Sequence, residues 1–416
     1  MIDAINEITK EELNALAENK LLVNKWLYDN PADLFKKIQD YIEIDHFSLL
    51  SFISALNAGF HIILYGPPGT GKTTLSEIIP KLLYRAYPDM NTASSDWNVG
   101  KVIGGRNIQY AKKPDGGYQE LIVPTNGVIT DGIIDCYQKM LLTEDYITTF
   151  TVIDEFNRTD MDACLGPLFT ALGSENKVLK LAYQKGFNQY LHEIIIPNRF
   201  RMICSMNKYD RTFTSELSEA LTRRFKWIFI GPPEDRQKEN ALIINLLTSK
   251  KGPLQDVELP EELIEVPDYE SIQYFEEEVL AKLNQIINDI RVYLPLGTSF
   301  LIDAYKIAFH YFKIRRGLMS SEISLLGIDP DESEKLLKND TTYRQLLDNI
   351  TDQDKKQQFA NLLAAIFTEV IDAALCMTVI PACEALVEEP DKLDEVKMIV
   401  NRYPHSFIEL QRIESI

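Results

Sequence analysis

Gly66-Pro67-Pro68-Gly69-Thr70-Gly71-Lys72-Thr73 decides the reading of this chain. It follows an apolar run, His61–Tyr65, and leads into a helix-compatible stretch, Thr74–Tyr84. Strand, glycine loop and helix in that order make the context a phosphate-binding loop needs. Glycines let backbone N–H groups curl round a phosphate without Cβ clashes. The helix start adds unpaired N–H groups and the positive end of a dipole. Lys72 would reach the β- and γ-phosphates of a nucleotide, and the Thr73 hydroxyl would ligate Mg²⁺.

A second segment supplies what that loop lacks. Thr149–Ile153 is apolar and ends in Asp154 and Glu155. An apolar run closing on two carboxylates occurs in ordinary surface turns, but this one lies about one βαβαβ stretch after Lys72. There Asp154 would hold Mg²⁺ through water and Glu155 would polarise the attacking water. A third strand ends at Ser205-Met206-Asn207. Asn207 either bonds the attacking water or serves a local turn. Arg223 and Arg224 close a helix just before another strand. They are either arginine fingers for a neighbouring subunit's nucleotide or a cation pair favourable to a helix C-terminus.

Apolar strands alternate with helical stretches from 61 to about 230, the pattern of a parallel sheet covered on both faces. The expected strands are His61–Tyr65, Asn91–Ser95, Phe150–Ile153, Phe200–Ser205 and Trp227–Ile230. Gly100–Gly127 reads as an inserted hairpin or loop, and Ser174–Asn198 as another hairpin around Lys185-Gly186. Before the sheet, Glu11–Trp26, Pro31–Ile42 and Phe47–Asn57 show helical spacing and are expected to pack beside it. After Gly231-Pro232-Pro233 the chain turns helical: Asp235–Thr248, Ile272–Tyr293, Thr298–Arg315, Phe359–Leu386 and Asp394–Arg402. The domains follow: 1–58 helical, 59–230 α/β nucleotide-binding, 231–318 helical lid, and 319–416 helical extension.

Composition narrows the function classes. The chain has 416 residues and a net charge of −19. That acidity argues against a broad electrostatic grip on nucleic acid, though it leaves room for a local basic strip inside a ring pore. Five scattered cysteines without a CxxC pair suggest free thiols in a reducing compartment and no zinc site. The polar, acidic N-terminus does not read as a secretory signal. Phe359–Leu386 is broken by Glu369, Asp372 and Pro381, so it reads as a buried helix rather than a membrane span. A cytoplasmic protein without membrane contact is expected.

Taken together, these blocks resemble the AAA+ ATPases of the dynein-related type, and most closely the McrB-like branch, the motor subunits of modified-DNA restriction systems. The MoxR chaperones are more distant relatives. The likeness rests on Asp96-Trp97 through Val102–Gly105, on Val152–Asp160 with Gly166–Leu172, on Phe200–Asn207 with Asp210-Arg211, and on Leu217–Phe225. It implies a P-loop AAA+ core followed by an all-α lid.

By that resemblance, Gly66, Pro67, Pro68, Gly69, Thr70, Gly71, Lys72, Thr73 and Thr74 cradle ATP or GTP as Walker A. Thr73 and Asp154 hold Mg²⁺, and Glu155 completes Walker B. Asn207 is sensor 1, and Arg223 and Arg224 act in trans. Asn157 and Arg158, with Asp210, help organise the water and the subunit junction. A homo-oligomeric ring, a hexamer, is implied, with an effector or adaptor partner, nuclease-like in a restriction or antiviral defence system. The 100–127 insertion holds the position of pore-facing segments in related rings. Tyr110, Lys112, Lys113 and Tyr118 are then grips for a threaded partner, or else decorate a solvated hairpin.

Gly297-Thr298-Ser299 stands where many relatives place a sensor-2 arginine, and Thr298 reads there as a helix N-cap. Three functions compete: a motor driving an effector, a MoxR-type remodelling chaperone, and a nucleotide-gated scaffold with little turnover. Residues near His61 and in the lid are expected to choose the base.

Overall fold

The computed structural model describes residues 36, 38–112, 118–142, 148–174, 176–181, 193–207, 219–248, 279–325 and 350–414. Glu11–Trp26, most of Pro31–Ile42, Lys113, Lys185, Gly186, Asp210, Arg211, Leu217 and the 272–278 part of the expected lid helix lie outside these. The chain divides after Gly231 into two compact units.

The first unit runs α1 (His46–Asn57), β1 (His61–Gly66), α2 (Lys72–Tyr84), β2 (Asp89–Thr92) and α3 (Val99–Val102). A hairpin follows, β3 (Gly104–Lys112) and β4 (Tyr118–Asn126), then α4 (Val128–Leu142), β5 (Thr149–Asp154) and α5 (Met161–Leu172). A small hairpin, β6 (Val178–Lys180) and β7 (Glu193–Ile195), precedes β8 (Phe200–Asn207), α6 (Glu219–Arg224) and β9 (Phe225–Phe229). Five strands form one parallel sheet in the order β2-β5-β8-β1-β9.

Alternation along each strand splits the core into two layers. Ile62, Leu64, Phe150, Val152 and Ile203 face α1 and α2, packing on Phe52, Leu75 and Ile79. Ile63, Ile153, Met202 and Cys204 face the other way, onto Ile129, Ile133, Leu165 and Leu168 of α4 and α5. The expected three-layer α/β arrangement is therefore present. Ile38, Ile42 and Ile44 join the α1–α2 layer, so the described residues just before α1 pack beside the sheet.

Two strand positions differ from the sequence reading. β2 lies at Asp89–Thr92 rather than Asn91–Ser95. It is the edge strand and mostly exposed, so pairing with β5 (Asp89↔Thr151 to Thr92↔Asp154) sets its position, not an apolar pattern. β9 begins at Phe225, directly after α6, because Phe225 pairs with His61. The insertion at 100–127 is a nine-pair hairpin, Gly104↔Asn126 to Lys112↔Tyr118, entered through α3.

His61 opens β1, at the opposite end of that strand from the glycine loop. Its Nδ1 accepts the Met202 N–H at 3.0 Å. Burial first, then the Arg201 and Lys177 charges, push its pKa down to about 3. Its side chain is therefore a buried, neutral imidazole bonded to the backbone of β8. The consequence is acid sensitivity. With the folded value below the unfolded 6.5, the unfolded chain binds the proton first, and stability is lost as pH falls from 6.5 towards 3. His61→Asn retains an acceptor but cannot titrate. Between pH 7 and pH 4 the wild type should lose about 3 kcal/mol more than this variant by denaturant unfolding. Parallel pH profiles would remove His61 as the cause.

The second unit is helical: α7 (Arg236–Thr248), α8 (Ala281–Ile290), α9 (Thr298–Leu325), α10 (Gln353–Thr378), a 3₁₀ turn at Ile380–Leu386, α11 (Pro390–Val400) and α12 (Pro404–Glu414). One core gathers Ile243, Leu283, Tyr305, Phe359, Val370, Val396 and Leu410. The stretches read from sequence as lid and extension thus share this core, and α9 runs unbroken across position 318. Among the described helices, α10 alone is long and apolar enough to cross a membrane by length and composition. Its Phe359, Leu363, Ile366, Val370 and Leu375 are buried in that core.

Buried ionic groups fix these helices. Glu239 accepts both Nη atoms of Arg291, at 2.8 and 2.9 Å, and the Thr298 hydroxyl at 2.7 Å. Thr298 is the first residue inside α9 rather than the one before it, so it does not stand at the expected N-cap position, and its hydroxyl donates to Glu239 of α7. Asp372 of α10 accepts the backbone N–H groups of His405 and Ser406, at 2.9 and 2.8 Å, capping α12 from a distance.

Candidate nucleotide site

The loop after β1 is shaped by backbone that only glycine accepts comfortably. Gly66 has φ +152, and a Cβ there would lie 2.1 Å from the Ile230 carbonyl oxygen. Gly71 caps α2 with φ +84, and a Cβ there would lie 2.2 Å from Ile42 Cδ1. The loop is thus squeezed between β9's exit and the segment before α1, with no volume for side chains at either turn.

Lys72 is buried at the first turn of α2. Its ammonium donates to the Pro67 carbonyl oxygen at 2.6 Å and to that of Gly66 at 3.2 Å. Burial pushes its pKa down to about 8, with the Asp154 charge pulling the other way. Thr70 closes the loop by donating its hydroxyl to the Pro67 carbonyl oxygen at 3.0 Å.

Opposite the loop stand the tips of β5 and β8. Thr73 Oγ1 donates to Asp154 Oδ2 at 2.7 Å, joining the glycine loop to the acidic strand end. Because a hydroxyl has one proton and two lone pairs, this bond leaves Thr73 free to accept a cation. Thr73 and Asp154 present only hard oxygen donors, the set that Mg²⁺ takes. These residues fit the expected metal.

Glu155 turns the chain out of β5 in the left-handed region, φ 52 and ψ 39, a conformation that costs a non-glycine residue on the order of 1 kcal/mol. The turn continues as a 3₁₀ segment, Phe156–Arg158. Arg158 returns to Glu155, Nη2 to Oε1 at 3.0 Å. Asn157 is buried, and its Oδ1 has no partner among the described residues. Asn207 ends β8 in register with Gly66, beside the start of the loop. Gly66–Thr74, Asp154, Glu155, Asn157, Arg158 and Asn207 therefore gather at the C-terminal edge of one sheet, where open α/β folds bind ligands.

The two adjacent arginines differ. Arg223 is exposed. Arg224 is half-buried and donates Nε to the Phe169 carbonyl oxygen at 2.6 Å, with its guanidinium 5.8 Å from the Phe169 ring. That carbonyl belongs to the last turn of α5, whose partial negative charge suits a cation. Gly173 leaves the room: a Cβ there would be 2.5 Å from Arg224 Nη2. On the β3–β4 hairpin, Ile108, Tyr110 and Tyr118 are exposed, and the Tyr110 hydroxyl donates to Glu120 at 3.2 Å.

Sequence reasoning passed over one group in this constellation. Ser205 is buried one strand over from Asp154 and donates its hydroxyl to Asp154 Oδ1. The available signal was a hydroxyl following the apolar run Met202–Cys204, two residues before the Asn207 tip.

Residues 61–225 match the family described as AAA domain (dynein-related subfamily). No curated protein matches the chain. A crystal structure of a putative ATPase from Cytophaga hutchinsonii matches with 13% identity and a TM-score of 0.35, over 68% of this chain and 81% of that one. The matched segment runs from the start of β1 to the start of β9, and over that stretch the chain is similar to an AAA domain of the dynein-related subfamily.

Proposed function

We propose that the chain is a nucleoside triphosphatase, using ATP or GTP, and that it works as a ring-forming motor of the McrB-like type driving an effector protein. The observation that carries the first part is the Thr73–Asp154 bond of 2.7 Å, which brings the phosphate loop and the acidic tip into one cleft.

The backbone N–H groups of the loop and of the first turn of α2 would hold the phosphates. Lys72 would leave the Gly66 and Pro67 carbonyl oxygens for the β- and γ-phosphates. A magnesium ion bound by Thr73 and Asp154 would neutralise charge building on the phosphate oxygens. Glu155 takes the proton from the attacking water as its oxygen bonds to the γ-phosphorus and the bond to the β-phosphate oxygen breaks. Arg158 holds Glu155 from one side, and Asn207 faces the same water from β8.

The ring is supported by the arginine pair and by the McrB-like motif blocks, Val152–Asp160 and Phe200–Asn207 above all. Arg223 lies exposed, and in the proposed ring it would meet a neighbouring subunit's nucleotide, while Arg224 ties α6 to α5. A hexamer and a nuclease-like or adaptor partner follow from the same resemblance.

Mixing tests the shared site. Arg223→Ala and Lys72→Ala chains should each be inactive in phosphate release from ATP and GTP. Combined, they should regain part of the activity, because one junction type then has both halves intact. Mixed oligomers that form but stay inactive at every ratio would contradict the trans arginine. Stimulation of turnover by a co-purifying protein would support the effector.

A further inference from the structure

We propose that Ser205 is a positioning residue for the metal-binding carboxylate, fixing the rotation of Asp154 so that one oxygen faces Thr73. The inference rests on the triphosphatase reading above and goes beyond it by assigning a role to a residue that does not touch the nucleotide.

β5 and β8 are parallel neighbours, and Ile153 pairs with Cys204. Asp154 and Ser205 therefore stand side by side at the tips. Ser205 is 1% exposed, and the residues before it, Met202, Ile203 and Cys204, are apolar core. A buried hydroxyl in such a strand is costly unless it is bonded. Its proton goes to Asp154 Oδ1, since an ionised carboxylate only accepts. The Glu155 N–H adds a second bond to the same oxygen at 2.9 Å. Both donors hold Oδ1 on the protein side, leaving Oδ2 turned towards Thr73 at 2.7 Å.

Removing the Ser205 proton leaves Oδ1 with the Glu155 N–H alone, and the carboxylate is then free to rotate about its χ2 torsion, which is broad. Partners behind a metal ligand are commonly worth 10–100-fold in metal affinity. Asp154, and not the phosphate loop, is what Ser205 touches. The loss should therefore appear in metal binding and spare the metal-free grip on nucleotide.

The test measures Mn²⁺, in place of Mg²⁺, by electron paramagnetic resonance with a non-hydrolysable triphosphate, adenosine and guanosine imidotriphosphate in parallel arms. Ser205→Ala should weaken Mn²⁺ binding about 10–100-fold while triphosphate binding in EDTA stays at the wild-type level. Ser205→Thr keeps the hydroxyl on a strand-compatible side chain and should stay within about threefold. Ser205→Cys fills the same space with a weak donor and should lose as alanine does.

Wild-type Mn²⁺ affinity in Ser205→Ala, or in Ser205→Cys, overturns the proposal, because packing alone then suffices. Failure of Ser205→Thr alongside alanine also overturns it. Should the wild type bind neither triphosphate, the triphosphatase reading itself falls, an outcome distinct from a Ser205 variant that matches a metal-binding wild type.

Discussion

Lys72→Met is expected to lose triphosphate affinity by about a hundredfold or more, since charge-assisted bonds to phosphate contribute on the order of 1.5–3 kcal/mol each. The same residue should set the alkaline limit of binding. Buried beside its own loop carbonyls, Lys72 has a pKa pushed down to about 8 from 10.5, first by burial. Bound phosphates require the ammonium, so above pH 8 binding must take up a proton. Affinity should then fall about tenfold per pH unit.

Stability runs the opposite way. The unfolded chain holds more protons than the folded one between pH 8 and 10.5, so the nucleotide-free protein gains stability as pH rises through that window. The burial cost is of order 3 kcal/mol below pH 8. Lys72→Met should remove both slopes at once. Calorimetric titration from pH 7 to 10, paired with denaturant unfolding, checks this. A pH-independent wild-type affinity would show that Lys72 does not meet the phosphates.

Glu155→Gln is expected to keep nucleotide and lose turnover by about 10²–10⁴-fold, the range for removing a general base. Gln has nearly the same shape and keeps an oxygen for Arg158 Nη2, so the left-handed turn at 155 and the 3₁₀ segment after it should stay in place. The signature is a split: phosphate release falls while the dissociation constant moves little. Equal losses in both would place Glu155 in binding rather than in proton transfer.

Much of this site was legible because its signals are local. Gly66–Thr73 carries strand exit, turn and helix start within a few residues, and each step is dictated by backbone sterics or helix ends. The Asp154–Glu155 tip follows from an apolar run that a parallel sheet buries on both faces. What escaped depends on contacts distant in sequence. Edge strand β2 has no apolar pattern, and its position is set by β5. α12 begins where Asp372, far upstream, supplies the acceptor for its first N–H groups. Thr298 has the composition of a cap, yet it lies inside the first turn of α9, and its hydroxyl donates to Glu239 on another helix. Arg223 and Arg224 look equivalent in sequence. Only the carbonyl end of α5 and the space left at Gly173 separate them. Ser205 was invisible as a partner until the strand order put β8 beside β5.

The central claim is that one cleft, built from the glycine loop and the Asp154 tip, binds a triphosphate. Equilibrium binding of labelled ATP and GTP with Mg²⁺ tests it most directly. The account predicts stoichiometric binding of one or both nucleotides by the wild type and by Glu155→Gln, and no measurable binding by Lys72→Met at the same concentrations. Undiminished binding by Lys72→Met, or none by the wild type with either nucleotide, would contradict it.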